Sequence, residues 1–264
     1  IEKAHEIGLT DTQLLNKDQL QALEPHTQLN ARGAILFNCD AHCYPNKLMQ
    51  SLLQYLPTAG VQLQPNQEVV QIETATNKVT RLITQTAAYE ADAVVLATGS
   101  WSRQVAALMG VKVAMMPGRG YSYTLENSPY KVNYPAVLVE GRAAITPMDG
   151  NKIRFGGTME ITSHKTPPRS NRVQGILDAV KRYYPQFDIP MPTMDKIWYG
   201  YRPVSADGLP YIGRSKKLHN LVVATGHSML GLSLGAGTGK LVSEILEGKP
   251  TSMDITPFNP DRFN

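Results

Sequence analysis

Arg202 closes an aromatic run, Trp198, Tyr199 and Tyr201, and stands directly before Pro203. A guanidinium offers its donors in a planar fork that matches a carboxylate. A buried arginine at a strand end is costly unless paired, so either a bound carboxylate or a structural partner such as Asp207 must answer it. Further on, the apolar run Leu221 to Ala224 ends in Thr225-Gly226-His227 and opens a helix studded with Gly231, Ser233, Gly235, Ala236 and Gly237. The first turn of a helix has unpaired N–H groups and a positive dipole end, which suit an electron-rich ligand edge. The small residues permit close approach at a cost in helix propensity. His227 either touches such a ligand or caps the helix.

Other chemistry-bearing residues carry less. Tyr121 and Tyr123 alternate along one strand face, as pocket lining or as cross-strand packing. Cys39 and Cys43 flank His42, but structural zinc needs four ligands and the chain has only these 2 cysteines. They read as free thiols, with no metal site. LGAGTGKL, residues 234–241, resembles a phosphate loop, but its first and last anchor positions are leucines, so it is rejected. No Ser-His-Asp set or paired carboxylates stand out.

The segment 198–248 resembles the C-terminal FAD-binding signature of the D-amino-acid oxidase superfamily. EADAVVLATGSWS, residues 90–102, is similar to that family's second cofactor strand. PGRGYSYT (117–124) and AAITPMDGNKIRFGGTME (143–160) are similar to the small subunit of its bacterial D-amino-acid dehydrogenases. The resemblance implies FAD contacts at Val69, Ala97, Thr98, Gly99 and Trp101, and at Gly226, His227, Ser228, Met229, Leu230, Gly231 and Leu232. It implies that Arg202 holds the substrate carboxylate and that Tyr121 lines the pocket. The implied reaction is oxidative deamination of a D-amino acid, with electrons passed to a respiratory acceptor. A glycine, sarcosine or imino-acid oxidase and a non-catalytic carboxylate-binding module are the alternatives. Many oxidases of the superfamily carry a tyrosine shortly before the proline of a later strand. Here that stretch is Ala143-Ala144-Ile145-Thr146-Pro147, a departure that favours the dehydrogenases.

These motifs need elements to hold them. Asn16 and Gln19 form a capping box for a helix over 17–23. Pro45 opens a helix to about residue 55. Strands are expected at 34–37, 61–63, 68–73, 79–86 and 196–203, with 93–97 a strand buried on both faces. Val173, Ile176, Leu177 and Val180 mark a helix over 169–184. The expected fold is mixed α/β, an FAD-dependent oxidoreductase fold with a mixed or antiparallel substrate-domain sheet. Its domains are both discontinuous: 33–110 with 204–250 for FAD, 1–32 with 111–203 for substrate, and a tail at 251–264. No G-x-G-x-x-G turn follows a first strand. The expectation is a C-terminal portion lacking its dinucleotide-binding βαβ unit, with FAD held by the full-length protein and not by this chain. Apolar surface is then expected beside 93–97 and 221–224, where it favours self-association.

Composition bounds the rest. The chain is 42% hydrophobic and 18% charged, hence globular, and its net charge of +4 comes without basic blocks, which argues against nucleic acid. No apolar run reaches the roughly 18 residues of a membrane span. The resemblance implies a cytoplasmic protein, with peripheral association with the inner membrane face left open.

Overall fold

A computed structural model describes residues 1–263. They form two compact units, both discontinuous: residues 1–44, 120–160 and 167–200, and residues 45–119, 161–166 and 201 onward. In chain order the elements are α1 (Glu2–Glu6), β1 (Gln13–Asn16), α2 (Lys17–Leu23), β2 (Gly33–Leu36), α3 (Pro45–Thr58), β3 (Val69–Ala75), β4 (Lys78–Thr84), β5 (Ala88–Tyr89), β6 (Val94–Leu96) and α4 (Ser102–Ala107). There follow β7 (Met115–Leu125), β8 (Ala136–Leu138), β9 (Ala143–Met148), β10 (Lys152–Ile161), α5 (Ser170–Tyr183), β11 (Ile197–Ser205), β12 (Tyr211–Arg214), β13 (Leu221–Thr225) and α6 (Gly231–Leu246). The architecture is mixed α/β, as the sequence indicates.

The first unit is built on a five-stranded sheet of order β11-β7-β10-β9-β8. The β9–β10 hairpin turns at Gly150 (φ +72) and Asn151 (φ +55), the two residue types that tolerate positive φ. Side chains alternate across a strand. Ile153 and Phe155 of β10 join Ile145 of β9 in the core, which leaves Arg154 and Gly156 for the opposite face. Val173, Ile176, Leu177 and Val180 of α5 fill the same core at helical spacing. Burying each such side chain contributes about 1.5–3 kcal/mol. α2 begins with the expected capping box, Asn16 and Gln19 each bonding the other's N–H at 2.9 Å.

The second unit holds a sheet of order β12-β13-β6, with β13 parallel to β6 and antiparallel to β12. β13 is apolar from Leu221 to Ala224 because both its faces are covered. Leu221 and Val223 pack with Leu96, Tyr211 and Leu218, while Val222 packs with Ile212 and with Leu241 and Ile245 of α6. β6 differs from expectation. It lies at the sheet edge, Leu96 is buried and Val95 is 38% exposed. An apolar run shows that a strand has apolar faces, not that both are covered. Of the two runs expected to border an apolar surface, Val95 is partly open, whereas Leu221, Val222 and Val223 are fully buried.

Residues 61–63 form no strand, because an extended run becomes one only when another strand takes up its N–H and C=O groups. α3 runs three residues past the expected end near residue 55, and none of its residues is buried. Leu48, Met49, Leu52 and Leu53 on its apolar side are all exposed. β3, β4 and β5 make a separate three-stranded sheet. Asn220 ties that sheet to the start of β13: its side chain accepts from Val79 N–H (2.8 Å) and donates to Val79 C=O (2.9 Å). Among the described residues, no helix is long and apolar enough to cross a membrane.

Candidate functional site

β13 ends at Thr225, and the chain turns through Gly226 (φ +84) and Ser228 (φ +51) before α6 begins. Glycine is required at 226 on two counts. The φ is positive, and a Cβ there would lie 2.8 Å from the Tyr211 ring. No side chain caps α6. Among the described residues, the N–H groups of Gly231, Leu232 and Ser233 find no acceptor, so the positive end of the helix is open. Every residue from Met229 to Gly237 is exposed. A Cβ added at Gly235, Gly237 or Gly239 would meet no atom within 4 Å. Glycine costs a helix interior about 1 kcal/mol against alanine, and nothing in the described packing calls for it here.

Hydroxyls fasten the turn after β6 to this helix start. Thr98 Oγ1 donates to Ser102 Oγ (3.1 Å), Ser102 Oγ to Thr225 Oγ1 (2.9 Å), and Thr225 Oγ1 to the Gly99 carbonyl (3.3 Å). Ser102 and Thr225 are buried. β11 reaches the same place. Ser228 N–H donates to the Pro203 carbonyl at 2.9 Å, and Val204 pairs with His227 in an isolated antiparallel bridge. Arg202, half-buried, thus stands next to the residue that bonds the turn. Asp207, the candidate structural partner for Arg202, has its two oxygens on Arg262 at 2.8 and 2.9 Å. Those charge-assisted bonds hold its carboxyl below the usual range. The structure therefore gathers the residues predicted at 97–101, 202 and 226–232.

His227 Nε2 lies 2.8 Å from Thr238 Oγ1, so the ring braces the first turns of α6. Burial lowers its pKa, which keeps it neutral near pH 7. Val69 lies apart from the turn, at the start of β3 and paired with Thr84, half-buried against the core of the second unit.

An aromatic cluster in the same unit carries residues that sequence reasoning missed. Trp101 stacks on His164, ring centroids 4.5 Å apart and 10° from parallel, and His164 meets Tyr201 edge-on at 4.7 Å. His164 Nε2 is 2.9 Å from Ser100 Oγ, and its carbonyl accepts from Tyr201 Oη (3.1 Å). Burial lowers the His164 pKa. Arg119, fully buried, donates to the Thr166 carbonyl (2.6 Å) and lies over the Tyr201 ring at 5.9 Å. The sequence offered no signal for His164, which sits in an irregular loop. Arg119 stands inside the PGRGYSYT block and was hidden by its neighbours.

Tyr121 belongs to the first unit. It is 2% exposed, its hydroxyl donates to Glu160 (2.7 Å) and accepts from Arg169 N–H (3.0 Å), and Arg172 Nε also donates to Glu160 (3.2 Å). This is a closed polar network around a buried carboxylate. Cys39 and Cys43 are free and exposed, and no group of three His, Cys, Asp or Glu side chains is placed to hold a metal ion among the described residues.

The strand–turn–helix thus presents open N–H groups and a glycine face, with an arginine nearby. The chain belongs to the FAD dependent oxidoreductase (DAO) family, whose model matches residues 1–245. It is 28% identical over 252 residues to a D-amino-acid oxidase of Bradyrhizobium diazoefficiens, covering 94% of this chain and 59% of that protein. It is 32% identical over 237 residues to a D-amino acid dehydrogenase of Neisseria meningitidis, covering 88% of this chain and 55% of that protein. The crystal structure of glycine oxidase from Geobacillus kaustophilus is similar with a TM-score of 0.86 at 26% identity, over 99% of this chain and 69% of that one. The chain thus spans a little over half the length of the two curated relatives. FAD fits the residues present: the open N–H groups suit its electronegative ring edge, and the glycine face leaves room for a ring.

Proposed function

We propose that this chain carries the substrate-gripping and flavin-capping parts of an FAD-dependent amino-acid dehydrogenase, which oxidises a D-amino acid to a 2-oxo acid. The observation that supports it most is the fastening of three motifs, at 98–102, 203–204 and 225–231, into one place in the second unit. Arg202 grips the substrate carboxylate by its fork and so fixes where Cα lies. The Gly231–Ser233 N–H groups hold the cofactor and favour negative charge on it. FAD held there would supply the two-electron oxidation of the amine Cα–H. The amine nitrogen gives up a proton, an imine results, and water hydrolyses it to the 2-oxo acid and ammonium. His227, kept neutral by burial, adds no positive charge beside the helix start.

The resemblance of residues 117–124 and 143–160 to the dehydrogenases supports a respiratory acceptor over oxygen. The full-length protein, given D-alanine, is expected to reduce an artificial dye acceptor and to release little peroxide. Stoichiometric peroxide would make it an oxidase, and no turnover of any D-amino acid, glycine or sarcosine would leave a carboxylate-binding module.

A further inference from the structure

The second unit carries a groove that the flavin reading does not use. Residues 111–116 line it, and burial alternates along them. Val111, Val113 and Met115 join the core of the unit, while Lys112, Ala114 and Met116 stay exposed. α4 contributes Arg103 and Ala107, and the end of β11 contributes Val204 and Ser205. Ile161 and Phe263, both exposed, add apolar surface. All these residues belong to the second unit. The cavity measures about 690 Å³, within the roughly 300–1,000 Å³ of small-molecule sites.

The polar groups of the lining are few and mostly cationic. Arg103 and Lys112 make no ion pair and no side-chain hydrogen bond among the described residues. Ser205 is 5% exposed, and its Oγ has no hydrogen-bond partner among those residues. No carboxylate, amide or imidazole lines the groove. A smaller cavity of about 450 Å³ shares Val111 and Lys112 with it and adds Lys216 and Lys217, with Asp261 as its one acid. Lys217 Nζ donates to the Gly110 carbonyl (2.7 Å), and Asp261 accepts from the Lys216 N–H (2.9 Å). Apolar walls call for an apolar body, and cations without counter-ions call for an anion. The backbone offers a peptide little: the Ala114 carbonyl already accepts from Ala206 N–H (3.1 Å) and Tyr211 Oη (2.8 Å), so it is not an open strand edge.

We propose that this groove binds a free fatty carboxylate, its single acyl chain along Ala107, Met116 and Val204 and its carboxylate on Arg103 and Lys112. A phospholipid brings a second chain, for which the lysine-lined cavity alongside provides no apolar wall beyond Val111. The site does not depend on flavin or on the dehydrogenase reading.

Calorimetric titration of the 264-residue chain tests it. Dodecanoate, below its micellar concentration, is expected to bind saturably, and decanoate about threefold or more weakly for the loss of two buried methylenes. Butyrate has the charge without the chain, and dodecyltrimethylammonium the chain with the wrong charge; neither is expected to saturate. Arg103→Gln with Lys112→Gln, at exposed positions without partners, is expected to weaken dodecanoate about tenfold or more. Ala107→Glu, which sets a carboxylate in the groove, is expected to do the same. Leu48→Ser with Leu53→Ser, on the exposed apolar side of α3, is expected to leave binding unchanged. No saturable response to dodecanoate overturns the site, as does equal binding by the Arg103/Lys112 and Ala107 variants. Binding lost in the α3 variant places the ligand elsewhere and overturns it too. So does equal affinity for dodecyltrimethylammonium, which would show an apolar patch without charge selection. Sedimentation with phosphatidylglycerol vesicles, beside no response to free dodecanoate, would make the groove a membrane contact and refute the fatty-carboxylate assignment.

Discussion

Arg202 is the residue proposed to hold the substrate carboxylate, and lysine is the informative replacement. It keeps the charge and loses the fork. Losing a charge-assisted bond costs about 1.5–3 kcal/mol, so Arg202→Lys in the full-length enzyme is expected to lower kcat/KM roughly 10- to 150-fold with flavin still bound. A structural role predicts instead a lower melting temperature with near-normal kinetics. The two partly buried imidazoles make a second prediction. His164 and His227 both have pKa values lowered by burial. The unfolded chain then binds more protons in the window below about pH 6.5, so stability falls as pH drops through it. Melting temperature is expected to decline from pH 7.5 to 5.5, and His227→Gln to flatten part of that decline; an equal slope in the variant refutes the assignment. The Gly226 turn was legible in the sequence because an apolar run ending in Thr-Gly-His before a small-residue helix implies a strand–turn–helix. His164 was not, because its role comes from a ring stacking on Trp101 from a distant loop, which no local pattern records.

Elements were legible where local and tertiary demands agree. The capping box of α2 and the helical spacing of α5 announce themselves, since each satisfies its backbone within a few residues and buries one stripe. Residues 61–63 and β6 were misread because pairing and face coverage are tertiary facts. α6 is the element whose design runs against its own stability. In the 264-residue chain, Gly237→Ala is expected to raise stability by about 0.5–1 kcal/mol, since its Cβ meets open space. In the full-length protein the same change is expected to weaken flavin retention. Destabilisation in the short chain, or unchanged flavin content in the long one, would contradict a face kept clear for the cofactor. Thr225→Val should act on the other side of the turn. It strips two bonds from the hydroxyl chain and leaves buried Ser102 short of an acceptor, a loss of about 1–3 kcal/mol seen in chemical denaturation.

At the scale of the whole molecule, the sequence holds no G-x-G-x-x-G turn beside the proposed flavin-capping helix. The chain is expected to purify colourless, and a preparation with near-equimolar flavin would show that the α6 start and the 98–102 turn suffice. Val95 and the apolar side of α3 are exposed, so sedimentation should show concentration-dependent association; a monodisperse monomer at high concentration would speak against it. One further property follows from where the aromatic residues lie. The sequence has 2 tryptophans. Trp198 belongs to the first unit and Trp101 to the second. Each unit therefore carries its own optical label. Replacing either tryptophan by phenylalanine leaves one emitter, and the melting of each half can be followed without sight of the other. Traces that coincide would mean the halves are lost in one step; traces that separate would rank them, and would show which half depends on the other for its order.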